Sequence, residues 1–77
     1  MSRHTVDARN LLCPLPVIRA QDAAAQCSPG DELRVLCTDP GALHDIPEWC
    51  RMFGHTLGEI TQQDRDISII IHVGEAG

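Results

Sequence analysis

The stretch DARNLLCPLP, residues 7–16, decides where the first helix begins, because its end sets a cysteine directly before two prolines. Proline has a fixed backbone angle and no N–H, so it is tolerated in the first turn of a helix. An amphipathic run follows and ends at the turn sequence Ser28-Pro29-Gly30-Asp31. We therefore predict a helix over about residues 14–27, with Cys13 as its N-cap.

In this prediction Pro14 takes the first helical position and Pro16 the third, so both prolines shape the helix start beside the Cys13 thiol. The positive end of a helix dipole favours a thiolate by about 0.3–1 kcal/mol, which lowers a thiol pKa by less than about one unit. That is too little to reach neutrality from about 8.5. We expect further help from Arg9, the nearest cation in the sequence, and from the N–H of Leu15, and we predict a Cys13 pKa below about 8.

Alternating apolar and polar residues predict four strands in the rest of the chain. We expect them at about residues 5–9, 32–38, 56–61 and 66–73. The last strand is the most regular, with Ile67, Ile69, Ile71 and Val73 on one face. A polar turn around residues 63–65 joins the last two strands.

A second helix is predicted between the second and third strands. Asp45 and Glu48 have the spacing of a capping box, and Gly54 is a stop signal. The buried face of this helix should carry Ala42, Ile46, Trp49, Cys50 and Phe53. The element order is βαβαββ, and a four-stranded sheet with both helices on one face buries each apolar stripe once. The sequence thus predicts an α+β fold, a two-layer sandwich.

Composition limits the function. A chain of 77 residues predicts one domain, residues 1–77. The net charge of −5 and the presence of only two aromatic residues argue against direct nucleic-acid binding. The absence of lysine excludes Schiff-base chemistry and a P-loop. The start of the chain is polar and its apolar runs are short, so we expect a cytoplasmic protein with no membrane association.

The other candidate ligands and nucleophiles have simpler interpretations. Cys27, Cys37 and Cys50 fall on predicted core faces, where cysteine acts as a small apolar residue. The four cysteines contain no C-x-x-C spacing, so neither a zinc site nor a thioredoxin-like pair is predicted. The four histidines are scattered and have the pattern of solvated or satisfied side chains.

Further motifs accompany Cys-Pro-x-Pro. They are DAR before it, TDPGA after the second strand, DIPEWC opening the second helix and Gly54-His55 after that helix. In this order, over about residues 5–73, the chain resembles the TusA (SirA-like) family of sulfur carrier proteins. The resemblance implies a two-layer βαβαββ sandwich whose mixed sheet has the strand order 1-2-4-3.

The resemblance also implies a function. By match to the family motif, Cys13 is the catalytic cysteine of a sulfurtransferase and carries sulfur as a persulfide. Family members take sulfur from a donor, such as a cysteine desulfurase or a rhodanese-like protein, and pass it to an acceptor protein. The destination is tRNA thiolation, molybdenum cofactor assembly or cytoplasmic sulfur oxidation. The exchange requires neither a metal nor an organic cofactor.

The chain departs from the family pattern at positions that would face partners. Asn10 stands where a glycine is common, and the first helix carries Arg19 and Asp22 in a region where lysines are frequent. Arg19 and Asp22 lie on the helix face that would border Cys13 and are candidates for partner contact. Two other functions stay open: a redox module in which Cys13 pairs with a second cysteine, and a non-catalytic docking or regulatory domain.

Overall fold

The computed structural model describes residues 2–74, and the predicted single domain over 1–77 extends past them at both ends. The element order βαβαββ is confirmed. The elements are β1 Arg3–Ala8, α1 Leu15–Ala25, β2 Glu32–Cys37, α2 Ala42–Phe53, β3 Thr56–Gln63 and β4 Asp66–His72.

The four strands form one mixed sheet in the order β1-β2-β4-β3, as the family resemblance implied. β1 and β2 are parallel, whereas β4 is antiparallel to both of its neighbours. Parallel strands need a crossover connection, and α1 supplies it. Because β1 and β2 are parallel, the loops that follow them lie together at the same end of the sheet.

The core lies between the sheet and the two helices. Its centre consists of cross-strand pairs between β2 and β4, namely Leu33 with Ile71, Val35 with Ile69 and Cys37 with Ile67. Both helices add buried side chains to the same cluster: Ala20, Ala24, Ala42, Ile46, Trp49 and Cys50. This arrangement confirms a two-layer α+β sandwich, since each apolar stripe is buried once.

The start of α1 differs from the prediction. The helix begins at Leu15 with Pro14 as its N-cap, so Cys13 precedes the cap and Pro16 belongs to the first turn. A turn explains the shift: the N–H of Leu15 donates to the carbonyl of Leu12 at 2.9 Å, with the cis Cys13-Pro14 peptide between them. This is the pattern of a type VI turn. Cys13 is therefore a turn residue and not a helix cap.

The capping box predicted for α2 is wrong. The helix begins at Ala42 with Gly41 as its N-cap, and Asp45 lies within the first turn. The chain already turns at Asp39, whose side chain accepts the N–H of Gly41 at 3.2 Å and whose carbonyl accepts the N–H of Ala42 at 3.0 Å. The predicted stop at Gly54 is confirmed, since it has a left-handed φ of 78°.

One detail of the predicted core also changes. Phe53, the last residue of α2, is 44% exposed and is not buried as predicted. β3 is an edge strand with mostly exposed residues, and its pairing with β4 shifts register between Leu57 and Ile60. Such a shift is the signature of a β-bulge.

Candidate functional site

The candidate site lies where the loops after β1 and β2 meet. Ala8 and Cys37 are paired at the ends of these parallel strands, so the chain segments that continue from them lie side by side. One loop carries Cys13 and the other carries Asp39 and Gly41. Topology thus brings together residues 26 positions apart in sequence.

The loop after β1 is held in place before it reaches Cys13. The N–H of Asn10 donates to Oγ1 of Thr38 at 2.9 Å, across to the loop after β2. Asn10 has a φ of 65°, in the left-handed region that favours glycine and tolerates asparagine. This conformation explains why asparagine can stand where relatives commonly have glycine.

Cys13 is fixed by Asp39 and given room by Gly41. The N–H of Cys13 donates to Oδ2 of Asp39 at 2.7 Å, and the other carboxylate oxygen accepts the N–H of Gly41 at 3.2 Å. A Cβ built on Gly41 would lie only 2.9 Å from the Cys13 sulfur. The absence of a side chain at Gly41 therefore creates the space that the sulfur occupies.

The surroundings of the thiol oppose its ionisation. Burial is the largest cause, followed by hydrogen bonding to and the negative charges of Asp39 and Asp45, and together they raise the pKa of Cys13 to about 12. Asp39 keeps its charge, because the N–H of Cys13 lowers the pKa of that carboxyl. The predicted pKa below about 8 is wrong for this structure, because the carboxylates of Asp39 and Asp45 lie beside the sulfur and no local pattern indicates them.

The two groups expected to help the thiolate are engaged elsewhere. The Arg9 guanidinium binds Asp7 through two hydrogen bonds of 2.9 Å. The N–H of Leu15 is used by the turn to Leu12. Neither expectation is met.

An apolar rim and a shallow groove border Cys13. Leu12 is 75% exposed, and Leu15 and Ile18 on α1 are also exposed. A groove of about 330 Å³ between α1 and α2 adjoins Pro14 and is lined by both apolar and acidic side chains, including Val17, Asp45, Glu48, Met52 and Phe53. The predicted partner-facing residues Arg19 and Asp22 are exposed on α1. The apolar rim was missed, although Leu12 beside the motif was a usable signal.

The other cysteines differ in access. Cys37 and Cys50 are buried, as predicted, and burial raises the pKa of each. Cys27 is only half-buried and follows the end of α1, so its predicted place in the core is wrong in part. None of the helices within residues 2–74 is both long and apolar enough to span a bilayer.

Comparison with known proteins gives the family. The profile of the sulfurtransferase TusA family matches residues 4–73. Two Neisseria meningitidis proteins, from serogroups A and B and each named as a candidate sulfur carrier, are 42% identical over 71 residues, which cover 92% of this chain and 96% of theirs. YrkI of Bacillus subtilis, named in the same way, is 34% identical over 73 residues, or 95% of this chain and 97% of that one.

The fold comparison agrees. The crystal structure of a SirA-like protein from Desulfitobacterium hafniense matches with a TM-score of 0.80 at 28% identity, covering 94% of this chain and 99% of that one. Sequence profile, relatives and fold therefore give one answer: the chain belongs to the TusA family of sulfur carrier proteins.

Proposed function

We propose that the protein carries sulfane sulfur as a persulfide on Cys13 and transfers it from a donor protein to an acceptor protein. Family membership supports the general activity, and the position of Cys13 within the family motif supports its role as the carrier. The donor is expected to be a cysteine desulfurase or a rhodanese-like protein. The destination is tRNA thiolation, cofactor assembly or sulfur oxidation, in the reducing cytoplasm.

The observation that carries this proposal is the space around the Cys13 sulfur. The thiol is half-buried in a gap that exists because Gly41 has no side chain, whereas the thiols of Cys37 and Cys50 are enclosed by the core. A carrier needs a sulfur that a partner can reach and that the fold holds in one place. Cys13 meets both conditions.

Loading is a thiolate exchange at sulfur. The Cys13 sulfur attacks the terminal sulfur of the donor persulfide, a new S–S bond forms on Cys13, and the S–S bond of the donor breaks. The donor cysteine leaves as a thiolate and takes up the proton that Cys13 releases. One sulfur atom moves, and the oxidation level of the pair is unchanged. Delivery to an acceptor thiol is the same reaction in the other direction.

The high pKa of Cys13 adds a condition to this chemistry. A thiol flanked by Asp39 and Asp45 is mostly protonated at neutral pH, so it reacts slowly with thiol reagents in general. We infer that a bound donor activates it, by placing a cation or a hydrogen-bond donor near the carboxylates. The free carrier is then protected from stray oxidants, and sulfur moves only within a complex.

Intact mass spectrometry tests the proposal. The reduced protein is incubated with a cysteine desulfurase and cysteine, or with a rhodanese and thiosulfate, and a gain of one sulfur atom, about 32 Da, is expected from at least one system. Cys13→Ser should gain nothing, while the control Cys27→Ser should load like the wild type. Loss of two hydrogen atoms without sulfur gain would indicate a redox module instead. No mass change with either donor would contradict the carrier role.

A further inference from the structure

A second cluster of reactive side chains lies at the opposite end of the sheet from Cys13. It consists of His4 near the start of β1, Cys27 after α1 and Asp31 just before β2. One ligand atom from each residue lies within 4.8 Å of the other two. The whole length of the parallel pair β1 and β2 separates this cluster from the loops that hold Cys13 and Asp39. The cluster is therefore separate from the site proposed for sulfur transfer.

Asp31 is the fixed centre of the cluster. It is only 7% exposed and is the one buried charged residue within residues 2–74. Its Oδ1 accepts the N–H of Ser2 at 3.0 Å, and its Oδ2 accepts the N–H of Ser28 at 2.9 Å and bonds His4 Nε2 at 3.0 Å. A carboxylate oxygen has two lone pairs, and among residues 2–74 only the N–H of Ser2 donates to Oδ1. The fold therefore holds this carboxylate in place with lone pairs that a ligand could use.

Cys27 and His4 both lie beside the Asp31 carboxylate. The Cys27 thiol donates to the carbonyl of Ala23 at 3.3 Å, and that carbonyl also accepts the N–H of Gln26 at 3.0 Å. Removing the thiol from it therefore leaves the carbonyl satisfied. The His4 side chain is 37% exposed, which gives an ion access from solvent.

We propose that His4, Cys27 and Asp31 bind a zinc ion through one nitrogen, one sulfur and one oxygen, with the fourth position open to water. Zinc accepts this mixture of donors, whereas calcium and magnesium take oxygen ligands and do not favour thiolate. Zinc bonds of about 2.0–2.3 Å at tetrahedral angles place ligand atoms roughly 3.3–3.7 Å apart. The three ligand atoms lie within 4.8 Å of one another and His4 Nε2 is 3.0 Å from Asp31 Oδ2, so small side-chain adjustments would bring them to that spacing.

Zinc binding would release the Cys27 proton to solvent and join three chain segments. These are the start of β1, the end of α1 and the turn into β2, which the hydrogen bonds of Asp31 to Ser2, His4 and Ser28 already connect. Zinc bound to Cys27 would also keep this half-buried thiol from competing with Cys13 for sulfane sulfur. A metal site was not predicted from the sequence, since its ligands come from three separate elements and show no motif spacing.

Zinc titration of the full-length, tag-free Cys13→Ser protein tests this proposal without interference from the reactive thiol. We expect one zinc per chain in competition with a chromogenic zinc indicator. Cys27→Ser and His4→Gln in that background should bind zinc at least about 100-fold more weakly. Loss of an outer-shell partner lowers metal affinity by about 10- to 100-fold, and loss of a direct ligand should cost no less. His44→Gln, a matched exposed histidine on α2, should bind like the parent. Equal binding by parent and Cys27→Ser would overturn the site.

Cobalt substitution gives a second readout on the parent protein, independent of whether each variant folds. Cobalt bound by Cys27 should show a thiolate-to-cobalt absorption band in the near ultraviolet and the strong visible bands of a tetrahedral ion. Alkylation of Cys27 should abolish them. A cobalt complex without the thiolate band, or no retention of either metal at micromolar concentration, would refute the proposal.

Discussion

The backbone N–H of Cys13 donates to Oδ2 of Asp39 at 2.7 Å and joins the loop after β1 to the loop after β2. The same carboxylate also contributes to the raised pKa of the Cys13 thiol. Asp39 therefore acts on both the position and the reactivity of Cys13: it holds the backbone of the proposed carrier cysteine, and after burial it contributes to the raised pKa of the thiol. Asp45 adds a second negative charge without a bond to the Cys13 backbone.

Asp45→Asn should make Cys13 more reactive. Removing one of the two flanking charges lowers the pKa of the thiol, and only the thiolate reacts with iodoacetamide. We expect alkylation at pH 8 to accelerate severalfold, up to about tenfold for each unit of pKa. Rates are measured by mass spectrometry on the folded protein. Glu48→Gln, one helical turn further along α2, is the matched control and should leave the alkylation rate unchanged. Equal alkylation rates for Asp45→Asn and wild type would contradict the role assigned to Asp45.

Gly41→Ala should obstruct the Cys13 sulfur while leaving the backbone unstrained. The added Cβ would lie 2.9 Å from Sγ, whereas the φ of −60° at Gly41 suits alanine. We expect both alkylation and sulfur loading to slow by about tenfold, less than the hundredfold that a misplacement of about 1 Å can cost. A bulky maleimide should be affected more than iodoacetamide. Urea unfolding checks that the fold is intact, and unaltered kinetics would show that the gap does not govern access.

Asp31→Asn should make the free energy of unfolding less dependent on pH in the acid range. The N–H groups of Ser28 and Ser2, and then His4, lower the pKa of Asp31 from 3.8 to about 2. The unfolded state then binds more protons than the folded state between these values, so the contribution of Asp31 is complete above about pH 4 and is lost as the pH falls toward 2. Urea midpoints at pH 5 and pH 3 should differ less in Asp31→Asn than in wild type. The exposed variant Asp22→Asn is the control, and an unchanged difference in Asp31→Asn would refute the prediction.

Asn10→Ala should destabilise the loop before Cys13. Residue 10 has a φ of 65°, a left-handed conformation that costs alanine about 1–2 kcal/mol. The Asn10 bond to Thr38 uses the backbone N–H, so it survives the change of side chain. Asn10→Gly is the matched control and should be at least as stable as wild type. Urea unfolding measures the difference, and equal stability of the alanine and glycine variants would be inconsistent with the backbone argument.

The bounds of a helix or strand could be predicted where a local sequence pattern alone determines them. Strict alternation predicts β4 at residues 66–73, against Asp66–His72 observed, and Gly54 marks the end of α2. The start of α2 could not be found in this way. Asp45 and Glu48 have the spacing of a cap, but the side chain of Asp39 turns the chain several residues earlier. The Asp39 side chain also binds the Cys13 backbone, so a contact distant in sequence helps to fix where the helix begins.

The sequence predicts a nucleophile for the site but not the charges around it. Cys13 is predicted from Cys-Pro-x-Pro together with the linked family motifs, and its role as nucleophile stays a prediction. The groups that act on the thiol, Asp39 and Asp45, come from after β2 and from inside α2, and only the parallel pairing of β1 and β2 brings them near. Arg9 is close in sequence, yet Asp7 binds it. Sequence proximity was a poor guide because charge acts through space.

The register shift in β3 bears on self-association. An edge strand presents unpaired N–H and carbonyl groups, and the exposed side chains of Leu57 and Ile60 would favour pairing of such an edge with a strand of another chain. The bulge between these two residues bends the strand and interrupts the regular array of backbone groups that a second strand would need. An interrupted edge of this kind disfavours permanent backbone pairing with another strand, which is compatible with the proposed transfer, in which the protein would leave each partner after one exchange.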